Sequence, residues 1–472
     1  MKVLILILTI SITHMAKADF FKNISNIIQN NEKRLSYGVS VTDFDKDGNF
    51  EFIVAGFGYA NLALKYDDGK LINNITDSLF ADTDRRTIGV ASCDIDQDGF
   101  EEIYFLNTDT YSGEKKYSDR LLDHTDVISD YFEIQKNQDS LNLTAGRSVV
   151  CVDRDGSGKY GIYVANYGGP TRFYEINNSE VSDLAPSLSL DQITGGRAVI
   201  AGHIVSNNMD IFAANERGPN FLYKNNNGQF TEIAGEKNIQ DTFQNGRGTA
   251  LTDFLYRGNL DIITSNWNGY HRIFVKENDS FFDSSSQEFR SPSLIRTVIS
   301  ADFDNDGYDE IFMNNIGQPN KLFRILGNGE LEEIIIDEAL EADGLGTGAA
   351  VADIDNDGVL ELLISHGESG AQPLSLFKAN ISSERNFIRI KPLNTFGAPA
   401  RGATVTLNTN MRNHAKTIDA GSGYLCQMEP VAHYGIREGE VIENISIKWT
   451  NGMVETYKVE KTNQTYVYKQ EI

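Results

Sequence analysis

Asp302-Phe-Asp-Asn-Asp-Gly-Tyr-Asp-Glu310 is one of four copies of a single nonapeptide, the others being Asp43-Phe-Asp-Lys-Asp-Gly-Asn-Phe-Glu51, Asp94-Ile-Asp-Gln-Asp-Gly-Phe-Glu-Glu102 and Asp353-Ile-Asp-Asn-Asp-Gly-Val-Leu-Glu361. A weaker copy runs from Asp153 to Gly161, and Asp253 to Asp261 keeps only its ends and its glycine. Around His203 the flanks recur without the acids, as Arg197-Ala-Val-Ile-Ala-Gly202 before and Asp210-Ile-Phe-Ala-Ala214 after. The starts at 43, 94, 153, 203, 253, 302 and 353 lie about fifty residues apart, so the chain holds seven units of one repeat.

Each nonapeptide sits between two short apolar runs, such as Gly38-Val-Ser-Val-Thr42 before and Phe52-Ile-Val-Ala55 after. Runs of four to six with β-branched and aromatic residues, bounded by turn residues, read as strands. Two more follow in each unit, joined by Asn-Gly turns as in Phe221 to Ile233. Four antiparallel strands repeated seven times predict an all-β chain, a seven-bladed β-propeller over residues 19–380. The seventh unit reaches its third strand near Pro373 to Lys378 and then leaves the pattern, while Phe20-Phe-Lys-Asn-Ile24 lies where a fourth strand would precede Asp43. Residues 19–28 are therefore expected to be the outer strand of the last blade, closing the ring and removing an open edge. The second unit carries a longer connection, 109–140, with a short helix expected around Asp119 to Phe132.

Sixty-seven acidic against forty-two basic residues give a formal charge of −25 over 472 residues. Nucleic acid and anionic membranes are poor partners for such a chain. Residues 1–18 read as a signal peptide: Lys2, the apolar run Val3 to Ile12, then Ala16-Lys17-Ala18. No later stretch has the ~18 to 20 continuous apolar residues of a membrane helix. The mature chain is expected to be exported, either secreted or periplasmic. With Cys93, Cys151 and Cys426 at least one thiol is free; buried free thiols are the commoner state, and a Cys93–Cys151 bridge between adjacent repeats is the alternative.

Asp at positions 1, 3 and 5 with Gly at 6 is how an EF-hand loop begins, oxygen ligands wrapping Ca²⁺ around a sharp turn. The EF-hand's Glu at position 12 is replaced by Val54, Phe105, Met313 or Ile364, so the acid at position 9 closes the site instead. The ligands would be Asp43, Asp45, Asp47, Glu51 and the carbonyl of Asn49; Asp94, Asp96, Asp98, Glu102 and Phe100; Asp302, Asp304, Asp306, Glu310 and Tyr308; Asp353, Asp355, Asp357, Glu361 and Val359. A weaker fifth site would use Asp153, Asp155, Ser157 and Lys159, and units four and five would bind nothing. Four carboxylates within nine residues are electrostatically unfavourable without a cation. The four complete ligand sets use sixteen of the sixty-seven acids.

The loops, with Phe57-Gly58 after the first, resemble the FG-GAP/VCBS repeats of integrin α-subunit propellers, which implies Ca²⁺ in the hairpin between the first two strands of a blade. After Asn380 a different β pattern begins: Asn386 to Ile390, Arg401 to Leu407, Gly421-Ser-Gly-Tyr-Leu-Cys-Gln427, His433-Tyr-Gly435 and Ile445 to Gly452. Residues 381–472 resemble an ASPIC/UnbV domain. A propeller followed by that domain is similar to the cartilage acidic protein 1-like family. One departure is Cys426, where a serine is more usual. His433 reads as a hydrogen-bonded structural histidine and Trp449 as a core residue.

Arg147, Arg197, Arg247 and Arg296 each precede position 1 of their unit by six residues. The first strand is innermost in a propeller, so they should gather at the channel mouth opposite the loops, either binding an anion or pairing with neighbouring carboxylates and carbonyls. No HExxH, GxSxG, P-loop or GxGxxG pattern points to catalysis. An exported calcium-binding adhesion or scaffold protein, with a protein or glycan ligand, is the leading expectation. A propeller hydrolase or lyase is one alternative; a lectin presenting Tyr167, Trp267 and Tyr270 from inter-blade loops is another.

Overall fold

The computed structural model describes residues 19–124, 127–381 and 385–471, so the signal peptide expected over residues 1–18 lies outside the described residues. In the first repeat the strands Ser36–Thr42, Glu51–Gly56, Leu62–Asp67 and Lys70–Asn73 pair in that order, antiparallel throughout. The same order recurs in five further units, of which the third and fourth are joined through Tyr167–Gly195 and Pro170–Ile193 into one eight-stranded sheet, and the sheet of the seventh unit is built from Gly346–Ala352, Glu361–His366 and Ser375–Ala379. The fourth strand of this last sheet is Phe21–Asn23, with Phe21 opposite Ala379 and Asn23 opposite Phe377. The first strands touch one another in sequence around the axis, and the first and seventh complete the circle. Alternate side chains of each sheet fill the space between blades, as Phe303, Phe312 and Phe377 do around Phe21 in a continuous apolar cluster.

Two local expectations need correction. The described residues of 119–132 form no α-helix; Arg120–Asp123 is the third strand of blade two and Ser129–Asp130 a short fourth, followed by a 3₁₀ turn at Tyr131–Glu133 capped by Asp130. The free edge of Glu102–Asn107 needs a partner, and that pairing overrides local helix propensity. The cysteines also take the alternative arrangement: Cys93 and Cys151, at the inner strands of blades two and three, form a disulfide, and only Cys426 is a free buried thiol. Reduction of this bond, which spans 58 residues of sequence, is expected to destabilise the protein by about 2–4 kcal/mol, read as a lower denaturant midpoint for Cys93→Ser/Cys151→Ser.

From Asn386 onward two small sheets share one core around Trp449, Tyr434 and Ile390. One sheet is Ala432–Ile436, Asn386–Leu393 and Thr465–Lys469; the other is Asn413–Thr417, Thr404–Thr409, Ile442–Lys448 and Val454–Tyr457. These sheets lie on the face of the ring that carries the nonapeptide loops: Gly435 donates to Asp302 (2.8 Å), Thr450 to Asp153 (2.6 Å) and Ala415 to Asp253 (3.0 Å).

Gly421–Gln427, expected as part of a β pattern, is instead the tip of a finger that enters the axis of the ring. Backbone hydrogen bonds join Cys151 to Ala420 (2.8 Å), Thr249 to Gly423 (2.8 Å), Gln427 to Val39 (2.9 Å) and Glu429 to Val351 (3.2 Å), so the finger touches blades three, five, one and seven. The buried Gln427 amide serves Ser40 and Ser92 as well. Inner strands expose one unpaired edge to the channel, and the finger bonds to it in blades one, two, three, five and seven. Space is tight: a Cβ on Gly421 would stand 2.7 Å from the Val149 carbonyl, and one on Gly38 would strike the Leu425 carbonyl. Among the described residues no helix is long and apolar enough to cross a membrane.

Candidate metal centres

Each complete nonapeptide folds the same way. Position 4 (Lys46, Gln97, Asn305, Asn356) and the glycine at position 6 both have positive φ, turning the chain back on itself. One oxygen of the position 1 aspartate accepts from that glycine's N–H, at 3.0 Å in Asp43, 3.1 Å in Asp94, 3.0 Å in Asp302 and 3.0 Å in Asp353. One oxygen of the position 9 glutamate accepts from the N–H of position 2, at 2.7 Å in Glu51 and 2.8 Å in Glu102. Asp94 accepts a second bond, from the Gln97 N–H at 2.7 Å. Asp43 Oδ1, Glu51 Oε1, Asp302 Oδ1 and Asp353 Oδ1 are buried with no hydrogen-bond partner. Orphaned anionic oxygens of this kind are costly unless a cation meets them, so the donor set fits a hard divalent ion.

Ligand atoms lie within 4.8 Å of one another in four groups: Asp43, Asp45 and Glu51; Asp94, Asp96 and Glu102; Asp302, Asp304 and Asp306; Asp353, Asp355 and Asp357. Each group holds three of the four expected acids, leaving out Asp47, Asp98, Glu310 and Glu361. In three blades a basic side chain on the third strand, opposite the closing glutamate, reaches these acids. Lys65 bonds Asp45 and Asp47, Arg324 bonds Asp304, Asp306 and Glu310, and Lys378 bonds Asp355, Asp357 and Glu361. In blade two none of Asp94, Asp96, Asp98 and Glu102 joins an ion pair among the described residues; Tyr131 donates to Asp96 at 2.8 Å. Burial, and then the neighbouring acids, push Glu51 up to about 8 and Asp94 to about 7, and hold Glu102 and Glu310 well above the carboxylate range. In unit three Asp153 and Asp155 lie with Ser157 and Lys159, but Asp153 is taken by Thr450, and the loop is not among the four groups.

The acids at position 8, Glu101 and Asp309, carry a role that the repeat reading missed. Glu101 holds the fully buried Arg401, while Asp309 bonds Lys416 (2.7 Å) and His414 (3.1 Å). Both therefore join the loop face to the C-terminal sheets. Their signal was visible as acids outside the metal positions, in only two of the four loops. Arg389 likewise bonds Asp353 (2.8 Å) and Glu429, and His433 bonds Asn305 (2.6 Å).

At the opposite end of the ring all four arginines of the first strands line one cavity of about 470 Å³, with Tyr424 of the finger on its inner side. Arg197 (2.6 Å) and Arg247 (2.9 Å) share Glu216, Arg296 pairs with Glu368, and Arg147 donates to the carbonyls of Gly146 (2.9 Å) and Tyr111. Tyr167 and Trp267, expected as exposed loop aromatics, instead stack on Arg197 (4.5 Å) and Arg296 (4.3 Å); Tyr270 alone of the three is exposed.

Comparison with known families matches residues 302–364 to the FG-GAP-like repeat and residues 394–472 to the ASPIC and UnbV family. Cartilage acidic protein 1 of Xenopus tropicalis is 44% identical over 91% of this chain and 72% of its own length. The Homo sapiens protein of that name is 42% identical over 89% of this chain and 70% of its own. Among solved structures, YCF48 bound to a D1 peptide aligns with a TM-score of 0.46 at 9% identity, over 77% of this chain and 97% of that one. BBS1N in complex with ARL6DN aligns at 0.45 and 11% identity, over 76% and 95%.

Proposed function

The chain belongs to the cartilage acidic protein 1 family, and from that membership together with the loop geometry we propose that it is an exported, calcium-binding β-propeller that acts as a binding or adhesion scaffold. The observation that carries the reading is the buried, unpartnered position 1 oxygen of Asp43, Asp302 and Asp353, joined in the first loop by Glu51 Oε1. Residues 43, 45, 47 and 51, and their equivalents in blades two, six and seven, would hold the ions. Bound Ca²⁺ supplies the positive charge that lets these acids stay ionised while buried. Lys65, Arg324 and Lys378 are then displaced toward solvent or toward the outer carboxylates, whereas the blade two loop needs no such movement. Supporting a scaffold rather than a channel enzyme, the axis is filled by the finger, where a propeller enzyme would place its chemistry. The family name, cartilage, agrees with the export expected from the first eighteen residues.

Calorimetric titration of the metal-stripped mature chain with CaCl₂ tests this: about four equivalents are expected, with the tightest lost in Asp94→Asn/Asp96→Asn. A folded protein that takes up no calcium overturns the reading.

A further inference from the structure

We propose that the channel mouth opposite the nonapeptide loops binds a small oxyanion, a carboxylate, sulfate or phosphate group, held by Arg147, Arg197, Arg247 and Arg296 beside Tyr424. Arg147, Arg247 and Arg296 stand second in their strands and Arg197 at the same register of its longer one, so roughly 20 Å of strand separates this site from the loop face. The site is thus independent of the calcium reading.

The four guanidiniums are 3 to 6% exposed, yet they converge on a cavity open to solvent. With Arg86, five cationic side chains line it against three carboxylates, Asp109, Glu216 and Glu368, so the cavity is locally positive on a strongly acidic chain. Arg147 forms no ion pair among the described residues, and the Nε atoms of Arg247 and Arg296 are buried without an acceptor. Buried like charges and unused donors are unfavourable, and an entering oxyanion relieves both at once.

The arrangement is also preorganised. Arg197 lies over Tyr167 and Arg296 over Trp267, which fixes each guanidinium plane; the Nε and Nη2 of Arg197 are held by Glu216, while Arg296 keeps its Nε–H without an acceptor. The corresponding positions of blades one, two and seven are Tyr37, Ile88 and Thr347, so the inner-strand arginines are confined to blades three to six. The field acts on the tyrosine of the finger: burial raises the Tyr424 hydroxyl, but Arg197, Arg147, Arg296 and Arg247 more than offset it and leave it below its usual value. A negatively charged oxygen is what this end of the channel stabilises.

Trp267 lines the site while Trp449, the other tryptophan, is fully buried in the C-terminal sheets, so tryptophan fluorescence reports occupancy. Calcium-loaded protein is titrated with sodium sulfate, phosphate and malonate at ionic strength held constant with NaCl. Saturable changes are expected for at least one anion, about tenfold weaker in Arg147→Gln and in Arg296→Gln, which each lose a charge-assisted contact. Glu216→Gln, which frees Arg197 and Arg247, should bind several-fold tighter. No saturable change in the wild type, or equal affinity in all variants, overturns the proposal. If the arginine variants do not fold, unchanged or weaker binding by Glu216→Gln overturns it alone.

Discussion

Chelation of calcium from the mature chain is expected to lower its thermal midpoint sharply, because ions that bind only the folded state add their binding free energy to its stability. At a hundredfold excess over Kd each site contributes about 2.7 kcal/mol, so four filled sites contribute about 11 kcal/mol. The charge explains why the loss should be so large. Without a cation, Asp302 and Glu310 are buried beside Asp304 and Asp306, and Arg324, Arg385 and Lys416 offset their repulsion only in part. Differential scanning calorimetry at one scan rate, with CaCl₂, with EGTA, and with EGTA followed by excess CaCl₂, measures the effect and its reversal. An unchanged transition sinks the metal assignment. Because the C-terminal sheets bond directly to the position 1 acids Asp302 and Asp353, chelation should also raise hydrogen exchange at Gly435 and in the strand Asn386–Leu393.

Arg401→Ala should cost about 3–5 kcal/mol, the range for removing one member of a buried ion pair. The side chain is fully buried and uses its whole donor fork: Nε and Nη2 on the Glu101 carboxylate (3.0 Å for Nη2), Nη1 on the carbonyls of Asp419 (2.7 Å) and Met428 (3.2 Å), and Nη2 on Val41 (2.8 Å). One residue thus ties blade two, blade one and both ends of the finger. Alanine leaves Glu101 buried with only Thr42 as donor (2.7 Å) and leaves three carbonyls without it. Lysine should rescue little, since one ammonium cannot span these acceptors. Urea unfolding gives the magnitude, and faster exchange at the amides of Val41, Cys151 and Thr249 would localise it to the finger. Wild-type protection at those amides in Arg401→Ala would show that the finger is held by other contacts.

The nonapeptides fixed most of the architecture in advance, because each carries its turn chemistry, its metal-ligand spacing and its flanking strands within about twenty residues. The four arginines were legible for the same reason: a constant offset of six from position 1 must place them at one end of equivalent strands. Their pairing with Glu216 and Glu368 was not, since those carboxylates occupy no repeated position. Lys65, Arg324 and Lys378 were equally hidden; Lys65 and Arg324 follow their glutamates by fourteen residues, but Lys378 follows by seventeen.

What the sequence by itself determined was therefore everything local and periodic: strands, tight turns, acid clusters, and the outer strand missing from the last unit. The tertiary structure decided what depends on distant partners. Gly421–Gln427 reads locally as strand, yet its hydrogen bonds go to residues 39 to 249, across several blades, and it becomes the finger that fills the axis. Cys93 and Cys151 were chemically free either to pair or to remain thiols until adjacent inner strands brought them together. Glu101 and Asp309 looked like two more loop acids until the C-terminal sheets settled on that face and met them with Arg401, His414 and Lys416. Periodicity specifies the repeat, but the contacts between repeats and the segment they enclose arise only when the ring closes around it.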